Sequence, residues 1–214
     1  MGTSKGFEIM ERDTEIMNLV SRFKFCLGRQ IKVLLNFGCS RVCDRRLKKL
    51  VDFDYLERRH ILYGVPSLYF LGKNSKHIGT IKYYSYKLRL DEIMHDIAVL
   101  DTAIYFIKKH SVKLDELQSE RELHSLDGFS NRRHQPDFVF IRDGKKTCVE
   151  VEFTPKAKDK MLTNIKRNFF KYDNQIWVVP DNEVKIRTMI ESSQIADIEI
   201  LSWESVIQYV KEKQ

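Results

Sequence analysis

Between Gln135 and Glu152 the chain reads Gln-Pro-Asp-Phe-Val-Phe-Ile, then Arg-Asp-Gly-Lys-Lys, then Thr-Cys-Val-Glu-Val-Glu. No other stretch constrains the fold as tightly. Asp143-Gly144 between two apolar runs is the strongest short-range signal for a hairpin. Side chains alternate along a strand, so Glu150 and Glu152 share one face while Val149, Val151 and Phe153 take the other. The hairpin then returns Asp137 beside that pair. Three carboxylates meeting at a sheet end repel one another unless a counter-ion joins them, and a hard divalent cation, Mg²⁺ or Mn²⁺, is the usual one. The spacing leaves a plainer reading open, in which Glu150 and Glu152 are the solvent face of an amphipathic hairpin.

The order Pro136-Asp137, hairpin, Glu150-x-Glu152 resembles the core of the PD-(D/E)xK, or restriction-endonuclease-like, nucleases, whose motif is Pro-Asp, a hairpin, then Asp/Glu-x-Lys. The match covers Pro136, Asp137 and Glu150. It departs at Glu152, which stands where the motif has the lysine that positions or activates the attacking water. Lys156, Lys158, Lys160 and Lys166 follow closely. Of these, Lys166 is expected to take the lysine's place, because a long helical side chain can extend over the acidic cluster, whereas Lys156 follows Pro155 and is expected to turn away. The resemblance implies metal-dependent phosphodiester hydrolysis, a DNA endonuclease chemistry, with Asp137, Glu150, Glu152 and Lys166 as the catalytic set. Asp137 and Glu150 would hold Mg²⁺ or Mn²⁺, joined by Glu120 from upstream.

The sequence around this motif predicts an α/β domain with a mixed sheet. Upstream, a helix over 90–110 carries Ile93, Ile97, Leu100, Ile104 and Ile107 on one side. Downstream come a helix from Lys158 to Tyr172, an apolar strand Ile176–Val179, a helix from Asn182 to Ile190, a strand Ile198–Leu201 and a last helix from Trp203 to Val210. Strands separated by helices pair in parallel, and the hairpin makes the sheet mixed.

Charge divides the chain. It holds 37 Lys and Arg against 30 Asp and Glu, but residues 1–89 carry a net of +10 and residues 90–214 a net of −3. A basic module joined to a near-neutral one suggests that the first grips phosphate; a merely solvated basic surface remains open on charge alone. The basic part reads as three helices and a hairpin. Asp13 caps a helix with Ile16, Met17, Leu19 and Val20 inward, and a second over Leu27–Phe37 buries Ile31, Leu34 and Leu35. Ser40 caps a third over Arg41–Val51, with Val42, Cys43, Leu47 and Leu50 inward. Strands Tyr55–Tyr63 and Leu68–Gly72 flank a turn at Gly64. This order is similar to a winged helix-turn-helix, whose third helix enters the major groove. Arg41, Arg45, Arg46, Lys48 and Lys49 on that helix, and Arg58 and Arg59 on the wing, are the candidate DNA contacts. The expected domains are a winged helix over 1–75, a linker over 76–89 whose Tyr83, Tyr84 and Tyr86 can stack on bases, and the nuclease-like domain over 90–214.

No apolar run approaches membrane-spanning length and the start lacks a signal-peptide core, so a soluble, cytoplasmic protein without a membrane partner is expected. Cys26, Cys39, Cys43 and Cys148 include no C-x-x-C pair and are expected to be reduced and buried; zinc would need His60 or His77 as further ligands. The whole chain resembles the replication-relaxation family of bacterial mobile-element proteins, which join a winged helix to a PD-(D/E)xK-like domain. The resembling residues are His95-Asp96 with Val99, Ser119-Glu120-Arg121-Glu122-Leu123, Pro136-Asp137, Val149-Glu150-Val151-Glu152, Thr154-Pro155-Lys156, and Lys166 with Tyr172. The resemblance implies a plasmid, phage or conjugative-element protein. Its partners would be double-stranded DNA, other proteins of the element and a second copy of the chain. Two functions follow: a weak metal-dependent endonuclease, or a non-enzymatic transcriptional regulator or relaxosome and replication accessory factor with a degenerate nuclease fold.

Overall fold

The computed structural model describes residues 7–61, 63–78, 89, 92–127 and 134–213. The chain divides into two compact units, Met1–Leu88 and Arg89–Lys213. Tyr83, Tyr84 and Tyr86 of the expected linker lie outside the described residues.

In the first unit three helices, α1 (Glu11–Arg22), α2 (Gly28–Leu34) and α3 (Ser40–Asp52), precede an antiparallel hairpin of β2 (Leu56–Arg59) and β3 (Leu68–Leu71). A two-residue strand β1 (Cys26–Leu27) pairs with the other edge of β3, giving the order β1-β3-β2. Helix α1 buries Ile16, Met17, Leu19 and Val20 as its pattern requires. Asp13 acts from inside the first turn rather than ahead of it, its Oδ2 accepting the Met10 N–H at 2.8 Å. Helix α3 turns Cys43, Leu47 and Leu50 inward, at i, i+4 and i+7. That choice leaves Val42, expected inside, 47% exposed. Two sites fix the hairpin. Gly64 takes the left-handed φ of +77° that its turn needs. At Gly72 a Cβ would lie 2.2 Å from the Asp54 carbonyl oxygen, so only glycine lets the strand close on the end of α3.

The second unit contains a five-stranded mixed sheet between helices. Its elements run α4 (Ile93–Lys109), β4 (Gln118–Ser119), α5 (Glu120–Asp127), β5 (Phe138–Arg142), β6 (Lys145–Val151), α6 (Lys158–Lys171), β7 (Asn174–Val179), α7 (Val184–Glu191), β8 (Ile198–Ser202) and α8 (Trp203–Glu212). The strand order is β4-β5-β6-β7-β8, antiparallel through β6 and parallel beyond. Asp143 and Gly144 both have positive φ, 52° and 75°, which is the type I′ hairpin turn their sequence calls for. Alternation along β5 and β6 sorts the two faces. Phe138 and Phe140 meet Phe106 of α4 at ring separations of 6.2 and 5.0 Å, whereas Val139 and Cys148 cluster with Leu123 and Tyr172. Met161 and Ile165 of α6 pack with Trp177, Val179 and two isoleucines of α7.

Among the described residues no helix is long and apolar enough to cross a membrane. All four cysteines are free, and Cys26, Cys43 and Cys148 are buried; Cys39, expected inside, is exposed where it precedes α3. Burial pushes the Cys43 thiol up to about 11, with Asp44 adding to it, and holds Cys26 and Cys148 higher still.

Candidate functional site

The pleat of β6 and the return of the hairpin bring Asp137, Glu150 and Glu152 to one end of the sheet. Asp137, just before β5, accepts the Val151 N–H at 2.6 Å through Oδ2, and its Oδ1 lies 3.5 Å from His95 Nε2 on α4. The same His95 nitrogen is 3.0 Å from the Val151 carbonyl oxygen. Glu150 is 4% exposed; its Oε1 accepts from His134 Nε2 at 2.6 Å and from Asn168 Nδ2 of α6 at 2.8 Å. Glu152, 5% exposed, is ion-paired with Lys156, four residues further along the loop that leads to α6.

Electrostatics follow from these contacts. Burial works against a charged His95, but Asp137 and then Asp96 outweigh it and push the imidazole up to about 11. Burial likewise opposes the Asp137 charge, and His95, the Val151 N–H and Lys156 together hold its carboxyl below the usual range. The Glu152–Lys156 pair is uneven. Burial, helped by Glu150 and Asp137, lifts Glu152 despite the lysine, while the lysine, itself opposed by burial, is raised by the same three carboxylates. Lys156 is therefore the more firmly charged partner.

These positions revise the expected roles. Lys156, expected to turn away, is the cation at the cluster, and Lys166 lies on the exposed face of α6. Glu120 starts α5; its backbone N–H reaches the Asp137 carbonyl oxygen at 2.8 Å, but its half-exposed carboxylate sits 3.6 Å from His124. Its neighbours Ser119 and Glu122 form a capping box, with Ser119 N–H donating to Glu122 Oε2 at 2.8 Å and Glu122 N–H to Ser119 Oγ at 3.4 Å. Among the described residues no three His, Cys, Asp or Glu side chains converge on a point that would hold a metal ion. As arranged, the donor set does not fit Mg²⁺ or Mn²⁺. Each carboxylate of the cluster already faces a histidine or a lysine, and a divalent ion would have to displace all three.

Reasoning from sequence overlooked His134 and Asn168, both of which hold Glu150. A signal for Asn168 exists: the buried stripe of α6 reads Met161, Asn164, Ile165, Asn168, and two amides at i and i+4 on an otherwise apolar face need a polar neighbour. His134 adjoins Gln135-Pro136 and carries no pattern of its own.

In the first unit the candidate DNA contacts divide. Arg41, Arg45, Lys48 and Lys49 are exposed along α3, Lys48 within an i,i+4 pair to Asp52 at 2.7 Å. Arg46 turns inward instead. Its Nε donates to Oδ1 of the fully buried Asp13 at 2.6 Å, and its guanidinium lies 4.7 Å from the centre of the Phe7 ring. Arg59 pairs with Glu57 and stacks over Phe70 at 4.8 Å. Arg58, exposed on β2, joins Arg29 and Lys32 of α2 in lining a groove of about 410 Å³ beside the start of α3.

No family model matches the chain, and no curated protein matches it either.

Proposed function

We propose that this chain is a double-stranded-DNA-binding protein of a plasmid, phage or conjugative element. A winged helix-turn-helix in its first unit grips the duplex, and a PD-(D/E)xK-like second unit serves a non-enzymatic role as regulator or replication accessory factor. The supporting observation is the exposed basic face of α3, with Arg41, Arg45 and Lys49, beside a groove whose walls carry Arg29, Lys32 and Arg58. Exposed cations on a helix and an adjoining hairpin suit a polyanionic backbone, and guanidinium groups read guanine or phosphate in two-point contacts. The non-enzymatic reading is supported by the two ion pairs and the His134–Glu150 hydrogen bond at the sheet end, which engage oxygens that a nuclease would lend to its metal.

Gel-shift titrations of the full-length chain on duplex DNA test the first part. Affinity should fall steeply with salt as counterions are released, and Arg41→Ala with Arg45→Ala should weaken binding by at least tenfold; unchanged affinity sinks the assignment. For the second part, supercoiled plasmid incubated with Mg²⁺ or Mn²⁺ should stay intact. Nicking that disappears in Glu150→Gln would establish the endonuclease instead.

A further inference from the structure

The geometry points to a second nucleic-acid site: we propose that an open groove along α6, in the unit with no net basic charge, binds a phosphodiester backbone. The groove, about 470 Å³, is lined by His134, Asp159, Lys160, Thr163, Asn164 and Arg167.

Lys160, Asn164 and Arg167 fall at i, i+4 and i+7, so one edge of the helix carries a cation, an amide and a cation in line, spanning roughly 10 Å at 1.5 Å per residue. Both cations are exposed. Asn164 is 3% exposed, lines the groove, and its side-chain amide makes no hydrogen bond among the described residues. The residue is buried, but its amide nitrogen and oxygen keep a solvent edge, and in a groove they are positions that a ligand would satisfy. Among the described lining residues His134 comes from outside α6, and its imidazole is fixed by Glu150 at 2.6 Å.

The chemistry selects the ligand class. Two cations, Lys160 and Arg167, outnumber the one carboxylate, Asp159, among the described lining residues, so the groove suits an anion. Small metabolites are mostly enclosed by their pockets, whereas this groove is open along its length and its charges lie in a row, as an extended chain of phosphates requires. An amide offers a donor and an acceptor and can meet a phosphate oxygen or a base edge. The site is independent of the basic face of α3.

Fluorescence anisotropy of the full-length chain, with labelled duplex and single-stranded DNA of one length, tests the proposal. Lys160→Gln with Arg167→Gln should weaken binding several-fold to at least one form and flatten the log-log salt dependence by about 2, one unit for each phosphate no longer neutralised. Asn164→Ala should weaken binding while leaving the melting temperature unchanged, because the amide makes no hydrogen bond within the described fold. An unchanged affinity and salt slope in the lysine-arginine variant overturns the site, as does a lowered melting temperature in Asn164→Ala, which would mark the amide as structural. If Arg41→Ala with Arg45→Ala has no effect while the groove variants lose affinity, the α3 reading fails and the groove stands; the reverse result removes the groove alone.

Discussion

Arg46 and Lys156 show how one side chain's partner decides its role. Five cations sit on α3, and sequence treats them alike. The one that turns inward does so because Asp13, buried without exposure inside the first turn of α1, needs a counter-charge. Removing one member of a buried pair leaves the other uncompensated, so Arg46→Ala should cost about 3–5 kcal/mol. Arg41→Ala on the exposed face should stay within about 0.5 kcal/mol. Urea titration of both variants checks the contrast, and equal stabilities would show that Arg46 is a surface cation after all. Asp13 is legible as a helix-start residue, but its partner lies 33 positions on, and no local pattern reveals that. Lys156 is a similar case. Its place after Pro155 predicts a turn away, yet four residues of chain bring it back to Glu152. Lys156→Met should lower the melting temperature, and Glu152→Gln added to it should restore much of the loss, since the buried charge then has no unmet partner. A double variant no more stable than the single one would show that the pair contributes nothing through charge.

At the level of elements, the places where backbone approaches backbone are the most fragile. Gly72→Ala would set a methyl group against the Asp54 carbonyl, which itself sits at a positive φ of 56°. Backbone cannot move aside as a flexible side chain would, so the β2–β3 hairpin should separate from the end of α3, at a cost of about 1–3 kcal/mol or more. Circular dichroism melting of this variant beside Gly38→Ala, where a Cβ meets nothing within 4 Å, provides the comparison; equal losses would contradict the steric account. Much of the element order is readable in the sequence. The Asp143-Gly144 turn, the alternation in β5 and β6 and the apolar stripes of α1 and α4 all carry their own period. Strands β1 and β4 are not, because two residues show no period at all and their pairing depends on the long strands they join. The candidate site is half legible for the same reason. Three carboxylates announce themselves by spacing, while His95, His134, Asn168 and Lys156, which neutralise or hold them, arrive from four separate segments.

Across the whole molecule the ion pairs of the second unit predict a stability profile in pH, and the chain supplies a reporter for it. Both tryptophans, Trp177 and Trp203, lie in the second unit, so their fluorescence follows that unit's unfolding. His95 titrates near 6.5 when unfolded and is raised to about 11 when folded. A raised folded pKa gives stability that is complete below the unfolded value and disappears as pH climbs through the folded one, so the contribution should decline between about pH 6.5 and 11. Asp137 behaves in the opposite sense. Its depressed folded pKa gives stability that is complete above the unfolded value, about 3.9, and is lost on acidification through the folded one. The two halves of one ion pair therefore define a plateau from about pH 4 to 6.5, flanked by an alkaline and an acid decline. Replacing the imidazole by an uncharged group of similar reach, His95→Gln, should lower the melting temperature on the plateau and flatten the alkaline limb between about pH 7 and 10. It should also move the acid limb up in pH, because Asp137 loses the cation that keeps it ionised. A variant whose melting temperature keeps the same pH dependence as the parent through both limbs would show that His95 carries no charge at neutral pH, and with it the ion-paired account of the sheet end would fail.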